Sequence, residues 1–415
     1  MSRLTAVDGP LPFGVERLEG VPMTYAETIT VDDLETDPYP VYARLRAEEP
    51  VAWVPAVNLW LVTRADDVET VTTKPELFSA KVDGSPLDRS FGGPTILTVD
   101  GAEHLDLRRS LDTKYRPRTV ATYIDDLVTP IAERFLERLL TRSEPRAELV
   151  SEYFEPISVL SLGAVLGLGH LSESTLQEWF HGLAMGAINF ENDPEKQRIN
   201  DETAAVIDHE LRPLMERLQA EPDGSTIASM LTSGCPVGQP RSIEAVMPSL
   251  KVIILGGMQE PGHGAASTLA ALLADDEQLA WVREDPTRWE DAVHEGLRWV
   301  APIGTQTRQT TRDVELAGTV IPAGSAVAGV VASACRDERV FTDPDAFDVR
   351  RPRVPNAAFG YGPHFCAGHA FARGQERIAL QLLVDALPGL RLDPAFDVTF
   401  RGWEFRAPTA LHVTW

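Results

Sequence analysis

A mainly α fold with small β-sheets is what this sequence predicts, and three observations predict it. Apolar residues recur at helical spacing over long stretches. Alternating, β-branched runs are confined to residues 51–63 and 307–351. Prolines and glycines are spread along the chain without a linker, repeat or low-complexity run, and a 43% hydrophobic content can fill one large core. Although 415 residues exceed the usual single-domain length, the chain reads as one compact domain, residues 1–415.

Taken in order, DPYPVYARLRAEEP (37–50) reads as a short helix with Tyr39, Val41 and Leu45 on one side, stopped by Pro50. VAWVPA and NLWLVT are two strands around a turn, and RADDVETVTT returns to helical spacing. Residues 73–98 are loop-like, with FGGPTIL (91–97) as their apolar part; long loops in compact domains are often functional. HLDLRRSLDTKYRP (104–117) opens another helix, with His104 and Arg108 one turn apart on one face. The stripe Ile124, Leu127, Val128, Ile131, Phe135 and Leu139 reads as core, as do Ile157, Leu160, Leu162 and Val165.

In LSESTLQEWFHGLAMGAINF (171–190) Ser172 is the expected cap, and Ala184, Gly186 and Ala187 form a small-residue patch that marks either close packing or an open cavity. The longest helical pattern runs from Ser242 to about Leu273. It is predicted to kink at LGGMQEPGHG (255–264), where glycines and Pro261 would free carbonyls. A polar, broken stretch inside an apolar helix usually marks function. DAVHEGLRWV (291–300) sets Glu295 and Arg298 three residues apart on one face, and residues 307–351 alternate like a small β-meander before an irregular Pro- and Asp-rich connection.

A formal net charge of −24 argues against nucleic acid and anionic membrane as partners. It leaves room for a local basic face: Arg108, Arg109, Lys114, Arg116 and Arg118 fall in one segment, and Arg373 and Arg377 lie one turn apart. These are either ordinary solvated charge or a docking face for an acidic electron donor. No signal-peptide pattern and no run of eighteen apolar residues occurs, and Cys235, Cys335 and Cys366 are widely separated, so a soluble, cytoplasmic protein without disulfides is expected.

The chain is organised around Cys366. It stands in FGYGPHFCAG (359–368), a glycine-laden loop that runs into the helical pattern HAFARGQERIALQLLVDAL. Unpaired N–H groups at a helix start stabilise negative charge, so the thiol is expected as thiolate. Gly360, Gly362 and Gly368 let backbone lie flat against something broad. One soft thiolate with no second cysteine nearby does not suit zinc or an iron–sulfur cluster and does suit haem iron; a buried structural cysteine is the plain alternative.

The pattern Phe359-Gly-x-Gly-x-His364-x-Cys366-x-Gly368 resembles the haem-ligand signature of the cytochrome P-450 superfamily at every fixed position. Together with E-x-x-R at Glu295 and Arg298, the meander and HLDLRRSL, the resemblance covers most of the chain. It implies a triangular, mainly helical cytochrome P-450 fold, with haem b held through Cys366 between the kinked central helix and the Cys-ligand loop. Cofactor contacts carried over are Phe359 and Gly360 in the signature, and His104, Arg108, Arg308 and His364 at the haem propionates. Glu295, Arg298 and Arg351 would be a buried structural triad holding the Cys366 loop. Membrane-bound eukaryotic relatives carry an N-terminal anchor, and this chain looks bacterial. A thiolate ligand favours O–O cleavage of dioxygen or peroxide.

A closer resemblance is carried by GGMQEPGHGAASTL (256–269) and GWEFRAPTALHVTW (402–415), which look like the bacterial O-demethylases of guaiacol- and syringol-type lignin phenols. Gln259 and Glu260 stand where most of the superfamily has an acid followed by Thr, and the O-demethylases share that departure. The implied reaction oxidises an aryl methoxy C–H bond, releasing formaldehyde and a catechol. The expected substrate pocket is Phe91, Leu97, Ala187, Ile303 and Phe405. Guaiacol demethylases close theirs with three phenylalanines, and Ala187 stands where one would be, so syringol is the expected preference. Glu260 is the expected base for direct use of hydrogen peroxide, oriented by Gln259; a reductase or ferredoxin at the basic face could supply electrons for dioxygen instead. The alternatives are a reductase-dependent monooxygenase hydroxylating another small or biosynthetic substrate, and a non-catalytic haem sensor.

Overall fold

The computed structural model describes residues 23–189, 193–236 and 238–415. Helices dominate, and the longest, Ile243–Leu273, runs through the middle of the main apolar core. Almost every face of it is buried, as its apolar composition requires. Ser242 caps it by accepting from the Ala245 N–H. The predicted break does not occur, and the helix continues through residues 255–264. Pro261 removes one N–H without ending the helix, and Gly257, one turn earlier, is needed for packing, since a Cβ there would meet Leu162 Cδ2 at 2.6 Å.

Around this helix pack Glu155–Leu166, Glu173–Ala187, Trp289–Trp299 and His369–Ala386. The expected elements at 37–50, 104–117 and 124–140 are the helices Pro38–Glu48, Gly101–Tyr115 and Ile124–Leu140. Within the loop-like stretch 73–98 a short helix, Pro86–Phe91, stands on the cap Ser85.

The largest sheet has five strands in the order Val51–Val54, Leu59–Val62, Ala326–Gly329, Gln306–Thr310, Phe78–Ser79. Only the pair Leu59–Val62 with Ala326–Gly329 is parallel. The expected meander is therefore divided: its outer strands, Gln306–Thr310 and Ala326–Gly329, pair with each other, while Val314–Leu316 and Thr319–Ile321 form a separate hairpin. Among the described residues no helix is long and apolar enough to cross a membrane.

Candidate active site

Cys366 lies just ahead of the helix His369–Ala386. Its own N–H donates to Phe359 O at 2.9 Å, closing the loop on itself. Gly360 is required in that loop: its φ is +70°, and a Cβ would meet Gln306 Nε2 at 2.0 Å. Gly360 thus shapes the loop and does not itself line the cavity in front of Cys366. Gly368 does, and a Cβ on it would stand 3.9 Å from Cys366 Sγ, in the space the sulfur faces. Burial pushes the Cys366 thiol up, although the N–H groups of Gly368 and His369 and the charge of Arg108 pull the other way. Those donors favour the thiolate that the sequence predicts while burial opposes it, and a bound cation would favour it further.

The cavity before Cys366 measures about 260 Å³ and is walled by Leu111, Ile253, Leu297, Val331, Phe359 and Phe371. Polar groups gather at one side of it. His104, Arg108 and His364 line it, and Arg308 lines the adjoining cavity together with His364. His364 Nε2 pairs with Asp100 Oδ1 at 3.1 Å. Arg108 Nη1 donates to Phe365 O at 2.6 Å. His104 Nε2, His364 Nδ1 and Arg308 Nη2 are all buried without a partner among the described residues. Burial and the neighbouring Arg308 hold the His364 imidazole down at about 4, and burial lowers the Arg308 guanidinium to about 10. An unpaired, desolvated Arg308 guanidinium beside two imidazoles fits the anionic edge of a large flat cofactor. A soft sulfur, a glycine-cleared apolar slot and these donors are the donor set that haem b requires; Cys366 would hold its iron, and His104, Arg108, Arg308 and His364 its propionates.

Asp100 was not foreseen. It occupies the N-cap position of Gly101–Tyr115, yet its carboxylate makes no cap bond and accepts instead from Ser79 Oγ and Ala80 N, both at 2.8 Å, as well as from His364. In sequence an Asp before a helix signals only a cap.

Glu260 lines the Cys366 cavity. Its Oε2 lies 4.0 Å from the point a Cβ on Gly256 would occupy, both its oxygens are buried without a protein partner, and burial raises its carboxyl well above the usual range. Gln259 is buried but does not line this cavity, and its Oε1 has no partner. The expected hydrogen bond from Gln259 to Glu260 is absent among the described residues, because adjacent helical residues point about 100° apart.

Phe91, Leu97, Ala187, Ile303 and Phe405, from five separate segments, line a second cavity of about 360 Å³. Leu97, Val252, Gly256, Ile303, Gln306 and His364 line both cavities, so the two adjoin. Ile303 and Phe405 are bridged backbone to backbone. Glu404 also lines this cavity and was not singled out from sequence; Thr305 Oγ1 donates to its Oε2 at 2.7 Å, and burial lifts its carboxyl to about 7. The small-residue patch serves both purposes left open above. Gly186 is packing, since a Cβ would meet the Asn200 side chain at 2.4 Å, and Ala187 is cavity wall.

Glu295 and Arg298 are buried and joined by two bonds of 2.7 and 2.8 Å. Arg298 also donates to the carbonyls of Cys335, Pro344 and Ala346. Arg351 Nε reaches Glu295 Oε1 at 3.2 Å, and the Asp348 N–H donates to the same oxygen. The triad ties down the connection that leads into the Cys366 loop. In the basic segment Arg109, Arg116 and Arg118 are exposed, whereas Arg108 faces the cavity and Arg373 covers the Phe359 ring.

A helical scaffold that presents one cysteine beneath an apolar slot edged with arginine and histidine side chains defines a haem-thiolate class of protein. The family model described as Cytochrome P450 matches residues 289–387. Nocardicin C N-oxygenase of Nocardia uniformis subsp. tsuyamanensis is 30% identical over 400 residues, 92% of this chain and 97% of that protein. The monooxygenase PikC of Streptomyces venezuelae is 29% identical over 92% of each chain. The solved structure of CalO2 superposes with a TM-score of 0.83 at 25% identity, covering 93% of this chain and 98% of that one. The chain belongs to the cytochrome P450 family. It is a haem-thiolate monooxygenase with haem b as cofactor, and such enzymes use oxygen and typically a redox partner. The names of its relatives span different substrates, so membership does not specify the substrate.

Proposed function

We propose that the whole chain, residues 1–415, forms one haem domain that O-demethylates small methoxyphenols, with syringol preferred to guaiacol. The observation that carries this reading is the lining of the 360 Å³ cavity, where Phe91, Leu97, Ile303 and Phe405 offer flat apolar surface and Ala187 leaves the space of a ring. The cavity adjoins the slot before Cys366, so a methoxy group held there points its C–H bonds toward the reacting centre. Cys366-ligated haem supplies oxygen activation when bound. The residues supply the rest: the aromatic walls hold the arene, and Glu260 handles protons.

With hydrogen peroxide the balance is methoxyphenol plus H₂O₂ giving catechol, formaldehyde and water. Glu260 accepts the proton of one peroxide oxygen and returns it to the other, which leaves in water. Its position on the cavity wall and the absence of a partner for its carboxyl oxygens among the described residues support that role. With dioxygen the same oxidation needs two electrons from a reductase or ferredoxin, for which the exposed Arg109, Arg116 and Arg118 offer a basic docking face.

The test is formaldehyde release from syringol, guaiacol and simple anisoles by the purified holoprotein, driven by peroxide or by a reductase system. Formaldehyde in equal amount to catechol is expected, and Glu260→Gln with matched haem content should lose most peroxide-driven turnover while still binding substrate. No spectral binding signal and no formaldehyde with any methoxyphenol would overturn the assignment. A second reading, a reductase-dependent oxygenase of another small or biosynthetic substrate, is supported by the whole-length relatives, which include linalool 8-monooxygenase of Pseudomonas putida. Hydroxylation of such a substrate without formaldehyde would favour it.

A further inference from the structure

A polar seam runs between the central helix and the helix Glu155–Leu166. Gly262 sets how close the two come: a Cβ there would meet the carbonyl carbon and oxygen of Phe154 at 3.3 Å and Cα of Glu155 at 3.4 Å. The turn leading into Glu155, Val150–Phe154, is π-helical, a form frequent at functional sites. This approach places Glu155 between two imidazoles. Its Oε1 lies 3.7 Å from His263 Nε2, and its Oε2 lies 3.8 Å from His181 Nε2. The His181 side chain is 55% exposed, against 8% for Glu155 and 13% for His263, so the row leads inward from solvent.

At the inner end His263 follows Glu260 by three residues and Gln259 by four, so its side chain neighbours each of theirs on the helix surface although those two diverge from one another. His263 Nδ1 and both Glu260 oxygens are buried without a protein partner. The hydroxyls of Ser158, Ser161 and Ser267, which continue the two helices at intervals of three or four residues, are buried and unpartnered too. One unpaired buried polar group is costly, so each of these groups calls for a hydrogen-bond partner.

We propose that His181, Glu155 and His263 form a proton route from solvent to Glu260, serving the reduction of dioxygen in the cavity. The proposal rests on the reading of Glu260 as the proton-handling group and is independent of which substrate the enzyme oxidises. Stoichiometry decides when the route is needed. Dioxygen, two electrons from a redox partner, two protons and a substrate C–H bond yield the oxygenated product and one water. Hydrogen peroxide and the same C–H bond yield the same products with no net proton uptake. His181 collects a proton from solvent, Glu155 passes it between its two oxygens, and His263 takes it at Nε2 and releases one from Nδ1 toward Glu260. The contacts of 3.7 and 3.8 Å are ion-pair distances, so each transfer follows a small rotation that brings donor and acceptor into hydrogen-bond range.

The experiment compares Glu155→Gln, His263→Gln and Glu260→Gln holoproteins under the two drives. In the first two, product formed per electron pair consumed should fall about ten-fold with the reductase system, since a positioned proton donor is lost. Peroxide-driven turnover and the spectral binding of substrate should stay within about two-fold in both, while Glu260→Gln loses both drives. Equal losses under both drives in Glu155→Gln and His263→Gln would make the seam structural and overturn the route. Unchanged reductase-driven coupling in both, with Glu260→Gln impaired, would overturn the route and leave the Glu260 reading standing. An unimpaired Glu260→Gln would overturn both.

Discussion

The rings of His104 and His364 stack with centroids 4.0 Å apart and planes 35° from parallel. One comes from the helix Gly101–Tyr115 and the other from the loop before Cys366, so the contact joins the two segments that bound the slot. Asp100 fixes His364 from behind at 3.1 Å, and each ring keeps one nitrogen buried and unpartnered. Arg308 Nη2 is a donor held ready for anionic oxygens, and the two ring nitrogens would join it as donors once such an anion favours their protonation. Removing the guanidinium should loosen the cofactor, because a charge-assisted bond in a desolvated site contributes about 1.5–3 kcal/mol. The expected result for Arg308→Leu is haem transfer to apomyoglobin accelerated about 10- to 100-fold. A transfer rate equal to that of the parent protein would remove Arg308 from the propionate site.

Arg298 serves a different purpose, since it reaches no cavity atom and spends its donors on Glu295 and three loop carbonyls. Replacing Glu295 with Ala leaves a buried guanidinium uncompensated, which costs about 3–5 kcal/mol. We expect Glu295→Ala to lower the urea midpoint correspondingly and to yield protein poor in haem, because the connection held by Asp348 N and Arg351 is released. Arg351→Lys, which keeps the charge and loses the fork, should cost less than Glu295→Ala. An intact urea midpoint in Glu295→Ala would contradict the structural role.

What could be seen in advance follows from how local each signal is. The helix Ile124–Leu140 declares itself because every buried position on it, from Ile124 and Val128 to Phe135 and Leu139, repeats at helical spacing. Cys366 stands in a contiguous ten-residue pattern and was equally plain. Asp100 was not, because its carboxylate is recruited by residues 79, 80 and 364 and local sequence shows only a cap. That the central helix runs on through Pro261 was not foreseen, because burial on nearly every face of the helix outweighs the local cost of one proline. The pairing of Gln259 with Glu260 failed on helix geometry, which sends adjacent side chains to different faces. The sheet order was hidden as well, because the partners of Gln306–Thr310 come from residues 78–79 and 326–329.

Glu404 gives a pH dependence with a defined sign. Burial raises its carboxyl from 4.5 to about 7, so the folded protein holds the proton more tightly than the unfolded chain. Stability from this group is complete below pH 4.5 and is lost as pH rises through 7, where ionisation in the unfolded state is already finished. The loss is on the order of 3 kcal/mol at most. Glu404→Gln, which keeps the shape and cannot ionise, should match the parent at pH 4.5 and exceed its thermal midpoint at pH 8. A difference in midpoint that is constant across this range would show that Glu404 does not titrate in it.

The widest consequence of a single side chain is expected at Ala187. It ends the helix Glu173–Ala187, is buried, and faces the same cavity as Phe91 and Phe405. On the syringol reading proposed above, a phenyl group introduced there would occupy the space assigned to a second ortho methoxy group, while an arene with one methoxy group needs less of it. Filling a preformed apolar space excludes the larger ligand sharply, because cores and pockets resist expansion by even a methylene. For Ala187→Phe we expect kcat/KM for syringol to fall about 10- to 200-fold, the range a misfit of methylene size produces, with guaiacol changed far less. Substrate binding read by the haem spin-state shift should follow the same order. Gly186, the neighbour that packs on Asn200, stays untouched, so haem content and thermal midpoint report whether the helix has moved. Equal losses for the two substrates, or tighter binding of syringol, would mean that Ala187 does not set the width of the cavity.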